Sequence, residues 1–421
     1  MGAAHFAAEG RGVRSCHFPT EGFHHDEPRR GAPMAEDVLA AIRALAPSLR
    51  ERAAEAEELR RVPDTSVKEL ADTGFFQLLQ PKAFGGRAAD PLVFYSAVKE
   101  IAKACGSTGW VASVVGVHPW HVALYDPRAQ QEVWGRDPKT RIASSYAPTG
   151  KATAVDGGFR LSGRWHFSSG CDHAQWALLG CLVPDDEGRP VDMRTFLVPR
   201  SEYRIDDVWD TVGLRGTGSN DIVVEDVFVP DHRALSFGPV TALQVPGHEL
   251  NPEPLYRLPY AGVFTTTIST PIVGIAEGAY ESYVEATQQR FRVSYGQKVA
   301  EDPFAQVRIA RAASDIDAAW LQLTRNMGEM YALARSGAEL PMELRIRTRR
   351  DQVRATERAV AAVDLLMENA GGSALRTGPN PVQRAWRDAH TGRGHAANDP
   401  ERALVMYGQC ALGIDTQDTM A

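Results

Sequence analysis

Residues 212–230, Val212-Gly213-Leu214-Arg215-Gly216-Thr217-Gly218-Ser219-Asn220-Asp221-Ile222-Val223-Val224-Glu225-Asp226-Val227-Phe228-Val229-Pro230, pass from a glycine-rich turn into a β-branched run that ends at a proline. Glycine supplies the positive φ of tight turns, and valine and isoleucine suit a pleated, half-buried surface. The stretch therefore reads as a connection leading into a strand over Ile222 to Val229. A phosphate cradle is the competing reading of such a glycine cluster. However, no GxGxxG follows a strand and opens a helix, and no GxxxxGK[ST] occurs in the chain. Toward the N-terminus the same texture continues as Thr153-Ala154-Val155 before the turn Asp156-Gly157-Gly158, then Phe159 to Leu161, Ala177 to Val183 and Thr195 to Val198. Short runs of this kind separated by Gly and Asp turns predict a small β domain over residues 141–235.

Helical texture flanks it on both sides. Val38, Leu39, Ile42, Leu45 and Leu49 recur at helical spacing before the charged run Glu51 to Arg61 and a break at Pro63. Helices follow over Thr65 to Thr73, Pro91 to Ala104, Thr108 to His118 and Arg128 to Trp134, so residues 34–140 read as a helical domain. Beyond a Pro-rich linker at 236–259, long amphipathic segments at Thr266 to Arg292, Pro303 to Ala334, Pro341 to Ala370 and Val382 to Gly408 predict a C-terminal four-helix bundle over 260–421. Residues 1–33 carry no sustained apolar period and read as a disordered or non-native extension, with Met34 as the native start. The fold class is α+β, mainly α.

Composition narrows the function. The 421 residues hold 46 Lys and Arg against 53 Asp and Glu, a net charge of −7 that argues against a nucleic-acid binder led by phosphate contacts. No stretch approaches the ~18 apolar residues of a membrane span and no signal peptide is evident, so the chain reads as cytoplasmic. Its five cysteines, at 16, 105, 171, 181 and 410, never form a CxxC pair, and HExxH and GxSxG are absent. No metal site is expected.

Four segments could carry chemistry. Gly163-Arg164-Trp165-His166-Phe167-Ser168-Ser169-Gly170-Cys171-Asp172-His173-Ala174 sets aromatics beside small hydroxyls, a lining suited to a planar heteroaromatic ring, and equally to a buried β corner with satisfied serines. Ser107-Thr108-Gly109-Trp110 stands two to three helical turns before His118-Pro119-Trp120-His121. Ser144-Ser145-Tyr146 lies where helices give way to strands. Arg387 to Asp399 is a polar run containing His390 and His395, and its plainer reading is a solvated helix break.

Helical domain, β domain and four-helix domain in this order resemble the acyl-CoA dehydrogenase fold superfamily. Val212 to Thr217 with Val224 to Pro230 looks like that family's G-[LI]-R-[GS]…[FV]-x-D-V-x-V-P stretch, and Asn369-Ala370-Gly371-Gly372 like its GG segment. Aligning Arg387-Asp388-Ala389 with the R-D-A that precedes the dehydrogenases' Y-E-G-T puts His395 at the tyrosine and Ala396 at the glutamate. The dehydrogenase base is missing there. Phe167 to Ala174 and Gly394-His395-Ala396-Ala397 instead look like the two-component phenol hydroxylases.

That resemblance implies an oxygenase component that receives reduced flavin, FMNH2 or FADH2, from a separate NADH-dependent reductase. It would activate O2 as a C4a-hydroperoxyflavin and hydroxylate a phenol ortho to its hydroxyl, a secosteroid phenol to a catechol. The alternatives are hydroxylation of a smaller phenol such as 4-hydroxyphenylacetate, or an acyl-CoA dehydrogenase with bound FAD. By the same resemblance His395 serves as base, with His118 and Ser144 near the phenol and flavin edge. Trp110, Ser144, Ser168, Ser169, Arg292, Gly371 and Gly372 contact the flavin. Arg292 and the Gly371-Gly372 turn would act in trans within a homotetramer.

Overall fold

Proline and aspartate together set where the helices begin. Asp90, Asp126, Asp302 and Asp399 each cap a helix whose first residue is proline, the side-chain carboxylate accepting the backbone N–H two residues on. In the computed structural model, which describes residues 35–185, 187–292, 296–376, 378, 380–414 and 416, six helices come first. They are α1 (Ala35–Glu51), α2 (Ala53–Leu59), α3 (Asp64–Asp72), α4 (Pro91–Ala104), α5 (Gly106–Val122) and α6 (Pro127–Trp134). The extension expected over 1–33 lies outside the described residues. The charged run Glu51 to Arg61 forms most of α2 and its flanks.

Seven strands follow: β1 (Ile142–Val155), β2 (Gly158–Ser168), β3 (Trp176–Pro184), β4 (Pro190–Pro199), β5 (Arg204–Asp206), β6 (Asn220–Pro230) and β7 (Ala234–Ser236). They form one sheet in the order β5-β6-β2-β1-β3-β4-β7, antiparallel except for the β1/β3 pair. The sheet curls around its own core of Trp165, Phe159, Phe196, Leu179, Ile222 and Val229. The opening stretch is therefore a 3-10 turn at Arg215–Thr217 entering β6, which pairs with β2.

After the short helix α7 (Phe237–Thr241) the bundle begins, with α8 (Tyr260–Gln289), α9 (Pro303–Ser336) and α10 (Met342–Asn369). Its fourth member departs from the expected single helix over Val382 to Gly408. It is two helices, α11 (Pro381–Arg393) and α12 (Pro400–Ala411), joined by a 3-10 turn at Ala396–Asn398. Gly394 weakens the helix and Asp399-Pro400 starts a new one, so the chain breaks where the apolar period alone would carry on.

Helix α5 is the hub. Fifteen of its 17 residues are buried, so it is apolar all round, as a helix enclosed on every side must be. It packs against α4, α8 and β1 and against the glycine-rich turn before β6. Among the described residues no helix is long and apolar enough to cross a membrane.

Candidate active site

Helix α5 brings Trp110, His118 and His121 to one continuous band of rings. Trp110 lies 6.0 Å from the His395 ring, His395 lies 6.1 Å from Phe264, and Phe264 lies 5.2 Å from Tyr146 and 5.3 Å from Tyr260. Tyr146 in turn lies 6.1 Å from His118 and 5.4 Å from His121. Strand β1 supplies Ser144 and Tyr146, α8 supplies Tyr260 and Phe264, and the turn after α11 supplies His395. Gly392 makes the approach of α11 possible: a Cβ there would meet Trp110 Cζ3 at 3.0 Å.

At the Trp110 end the two serines differ. Trp110 Nε1 donates to Ser169 Oγ (3.1 Å), which pairs with Ser219 Oγ (2.7 Å), which pairs with Thr217 Oγ1 (2.7 Å). Ser169 is thus fully engaged within the protein. Ser168 Oγ, wholly buried at the end of β2, has no hydrogen-bond partner among the described residues. A buried hydroxyl left unpaired costs about 1–3 kcal/mol, so such an atom marks a place where a ligand atom belongs. The aromatic setting expected for this pair is corrected. Trp165 is fully buried in the sheet core with Nε1 donating to the Gly180 carbonyl (2.7 Å), because alternation along β2 turns it inward. Phe167 takes a left-handed φ of 65° and is 70% exposed, packing edge-on against Trp209.

The histidines differ in their hydrogen bonds. A carbonyl only accepts, so the 2.6 Å contact to Ile142 O makes His118 Nδ1 the protonated nitrogen. Nε2 then carries a lone pair, buried and unpartnered. Burial lowers the His118 imidazolium to about 4, so the ring is neutral near pH 7. In contrast, His395 Nδ1 accepts the backbone N–H of Ala397 (3.1 Å), which leaves the proton of the neutral ring on Nε2. Burial holds this ring at about 4 as well. The turn beneath it is pinned by Asn398, whose Nδ2 donates to Gly392 O (2.9 Å) and whose Oδ1 accepts from Gln352 Nε2 (2.7 Å). With Nδ1 engaged in this way, the neutral His395 ring offers a proton at Nε2.

Ser144 is partly buried on β1, two residues before Tyr146 along the strand. Gly371 and Gly372 lie at the start of the turn after α10. Arg290 packs against Gly371, with Nη1 donating to Asn369 O (2.9 Å). Arg292 pairs with Gln297 in a two-stranded ribbon, and its side chain lies outside the described residues. Among the described residues neither glycine touches the aromatic band. Sequence reasoning missed Tyr260 and Phe264; an aromatic pair four residues apart directly after Pro259 was the available signal.

The Arg-Asp-Ala segment has a structural task. Buried Asp388 accepts the Leu214 N–H (2.6 Å), tying α11 to the glycine-rich turn, and Gly106 leaves room for its other oxygen, which a Cβ would meet at 2.6 Å. Burial pushes the Asp388 carboxyl up to about 6. A raised folded-state value means the folded protein binds the proton more tightly, so this group destabilises as pH rises from about 4 through 6. Asp388→Asn keeps the acceptor without the charge. It should stabilise the protein and raise its melting temperature at pH 8, by roughly 1–3 kcal/mol, and by about half as much at pH 5. Calorimetry at the two pH values checks this.

Residues 35–136 match the family model of the acyl-CoA dehydrogenase N-terminal domain, and residues 266–400 that of the acyl-CoA dehydrogenase C-terminal domain. The chain is 59% identical over 378 residues, 90% of its own length and 98% of the relative's, to the oxygenase subunit HsaA of a flavin-dependent monooxygenase from Rhodococcus jostii strain RHA1. This chain belongs to the flavin-dependent monooxygenases of the acyl-CoA dehydrogenase fold. Its backbone matches the crystal structure of 3-HSA hydroxylase from Rhodococcus sp. RHA1 with a TM-score of 0.89 at 58% identity, covering 91% of this chain and 99% of that one. The HsaA monooxygenase structure from M. tuberculosis matches at 0.88 and 56%, covering 92% and 100%. The monooxygenase works with reduced flavin and O2. The residues present suit a flavin: Trp110 offers an aromatic ring and donates to Ser169, and the neighbouring Ser168 carries a buried hydroxyl that nothing among the described residues satisfies.

Proposed function

We propose that this monooxygenase is the oxygenase half of a two-component system. It would hydroxylate a secosteroid phenol ortho to its hydroxyl, giving a catechol, with reduced flavin delivered by a separate NADH-dependent reductase. One pair of observations carries this reading: Ser168 Oγ, next in sequence to the Ser169 to which Trp110 donates, and His118 Nε2, on the ring beside Tyr146, are both buried and without a hydrogen-bond partner among the described residues. A cofactor edge and a phenol O–H are the complementary groups. The absent glutamate counts against α-proton abstraction from an acyl-CoA, since Ala396 occupies the aligned position.

When bound, reduced flavin supplies the activation of molecular oxygen, which no side chain here can perform. Ser168 and Trp110 would hold it, the serine through its free hydroxyl and the tryptophan through its ring. At the other end His118 Nε2 accepts the phenol O–H. Moving that proton toward the imidazole makes the ring carbon ortho to the oxygen more nucleophilic. Ser144 borders the same group of rings and steadies the phenol oxygen. His395, placed between the two ends, donates from Nε2. The closely packed rings exclude water from the reacting centre.

Arg292, Gly371 and Gly372 would serve the flavin of a neighbouring copy in a homotetramer. Exposed Phe304, Val307 and Leu321 on α9, Leu375 after α10, and Leu404 and Val405 on α12 support association through the bundle. The substrate reading is tested by ligand-induced stabilisation. A secosteroid phenol should raise the melting temperature by roughly 2–5 °C at saturating concentration, and an acyl-CoA should not. Stabilisation by acyl-CoA alone would overturn it.

A further inference from the structure

A patch of polar side chains lies inside the apolar bundle, behind the turn that carries His395. Arg349, Gln352 and Thr356 share one face of α10 at i, i+3, i+7 spacing, and Ser269 of α8 and Asn398 meet them there. All five are at most 3% exposed. Burying a guanidinium strips it of water, so an apolar filling of similar volume would hold these helices together at less cost. The order of donors and acceptors gives the patch a task. We propose that Arg349 and Gln352 are positioning residues for the monooxygenase reaction, which fix the polarity of a buried amide chain that holds His395 with its proton on Nε2. This rests on His395 serving the site as proposed above.

The polarity follows from counting donors, since a guanidinium can only donate. Arg349 Nη1 donates to Gln352 Oε1 and to the Ala397 carbonyl (3.2 Å). With its oxygen committed to Arg349, Gln352 presents its amide nitrogen to Ser269 Oγ and to Asn398 Oδ1 (2.7 Å). The hydroxyls of Thr356 (3.2 Å) and Ser269 (3.3 Å) face the same Asn398 oxygen as donors. Asn398 must then turn its nitrogen the other way, and Nδ2 donates to Gly392 O (2.9 Å). That bond locks the turn onto the last turn of α11, where Gly392 sits against Trp110. Ala397 is held by Arg349 at its carbonyl and by Asn398 as its neighbour, and its N–H is directed at His395 Nδ1 (3.1 Å). An imidazole that accepts at Nδ1 carries its proton on Nε2, so the polarity set at Arg349 ends in a donor at His395. No proton moves along the chain; it sets orientation only.

The test uses near-isosteric changes that reverse polarity while keeping volume. Gln352→Glu still accepts from Arg349 but offers Asn398 Oδ1 no donor, and Asn398→Asp sets a carboxylate oxygen against Gly392 O. Each should release the turn, so that the His395 proton is shared between the two ring nitrogens. Nitrogen-15 spectra of histidine-labelled protein read this directly, the His395 signals being those lost in His395→Ala. The unaltered protein should show Nε2 protonated and Nδ1 bare. Hydroxylation in Gln352→Glu should fall about 10-fold, to the level of His395→Ala, because one directed hydrogen bond is lost. The Gln352→Glu/His395→Ala double variant should lose no more than either single one, since both act through one ring. Arg349→Lys, which also only donates, should keep the tautomer, and Arg349→Met should not.

A merely structural patch predicts lower melting temperatures in these variants with tautomer and product yield unchanged. The His395 proton on Nδ1 in the unaltered protein, or an unshifted tautomer in Gln352→Glu, overturns the proposal. Should Gln352→Glu fail to fold, Arg349→Lys decides the matter, because a lost tautomer with the donor retained overturns it equally. A wild-type hydroxylation rate in His395→Ala would instead overturn the role of His395 on which the proposal rests.

Discussion

His118→Ala is expected to slow hydroxylation by about 10²- to 10³-fold while reduced flavin and oxygen are still consumed, hydrogen peroxide appearing in place of catechol. The expectation rests on a buried ring nitrogen whose neighbour is already committed: His118 Nδ1 donates to Ile142 O, so its unpartnered Nε2 is left to accept. His395→Ala removes a donor instead, so its loss should be smaller. Oxygen uptake and catechol yield, measured side by side for both variants, separate the two roles. The pH profile gives a second readout. A histidine whose folded value is lowered to about 4 stays a competent acceptor down to that pH and is lost below it. The acid limb of hydroxylation should therefore centre near 4 rather than the ~6.5 of an exposed histidine. A wild-type hydroxylation rate in His118→Ala would remove it from the chemistry.

Ser168→Ala is expected to have the next largest effect, and of a different kind. The lost oxygen has no partner inside the protein, so the fold should lose nothing and stand to gain up to ~1 kcal/mol. Peroxide release should rise at the expense of product, by about 10-fold in the ratio of the two, if that hydroxyl stabilises the oxygen-activating state more than the resting cofactor. Ser169→Ala breaks the Trp110–Ser169–Ser219 chain and should lower stability by about 1–2 kcal/mol as well as activity. Equal coupling in Ser168→Ala and the unaltered protein, measured as catechol per flavin oxidised, would make Ser168 a packing residue.

Much of the architecture was legible because it follows from local rules. The helix over Pro91 to Ala104 has the boundaries its proline and apolar spacing indicate, and the runs at Ala177, Thr195 and Ile222 are strands. The break after Arg393 was less so, since the apolar period continues across it and only Gly394 and Asp399-Pro400 announce it. Site geometry was harder still. Trp165 and Ser168 share one quoted segment, yet alternation and the turn at Phe167 bury the first in the sheet core and leave the second facing an unmet need. The roles of His118 and His395 depend on a carbonyl at Ile142 and an amide at Ala397. Those are backbone groups brought to the rings by tertiary packing, and residue identity carries no trace of them.

The central claim, a phenol hydroxylase that needs only reduced flavin from outside, is tested most directly by supplying chemically reduced flavin, O2 and the secosteroid phenol with no reductase present. Catechol should form in proportion to flavin oxidised, with one oxygen atom from O2 in each product molecule. Flavin oxidation that yields hydrogen peroxide alone, with the phenol recovered unchanged, would contradict it.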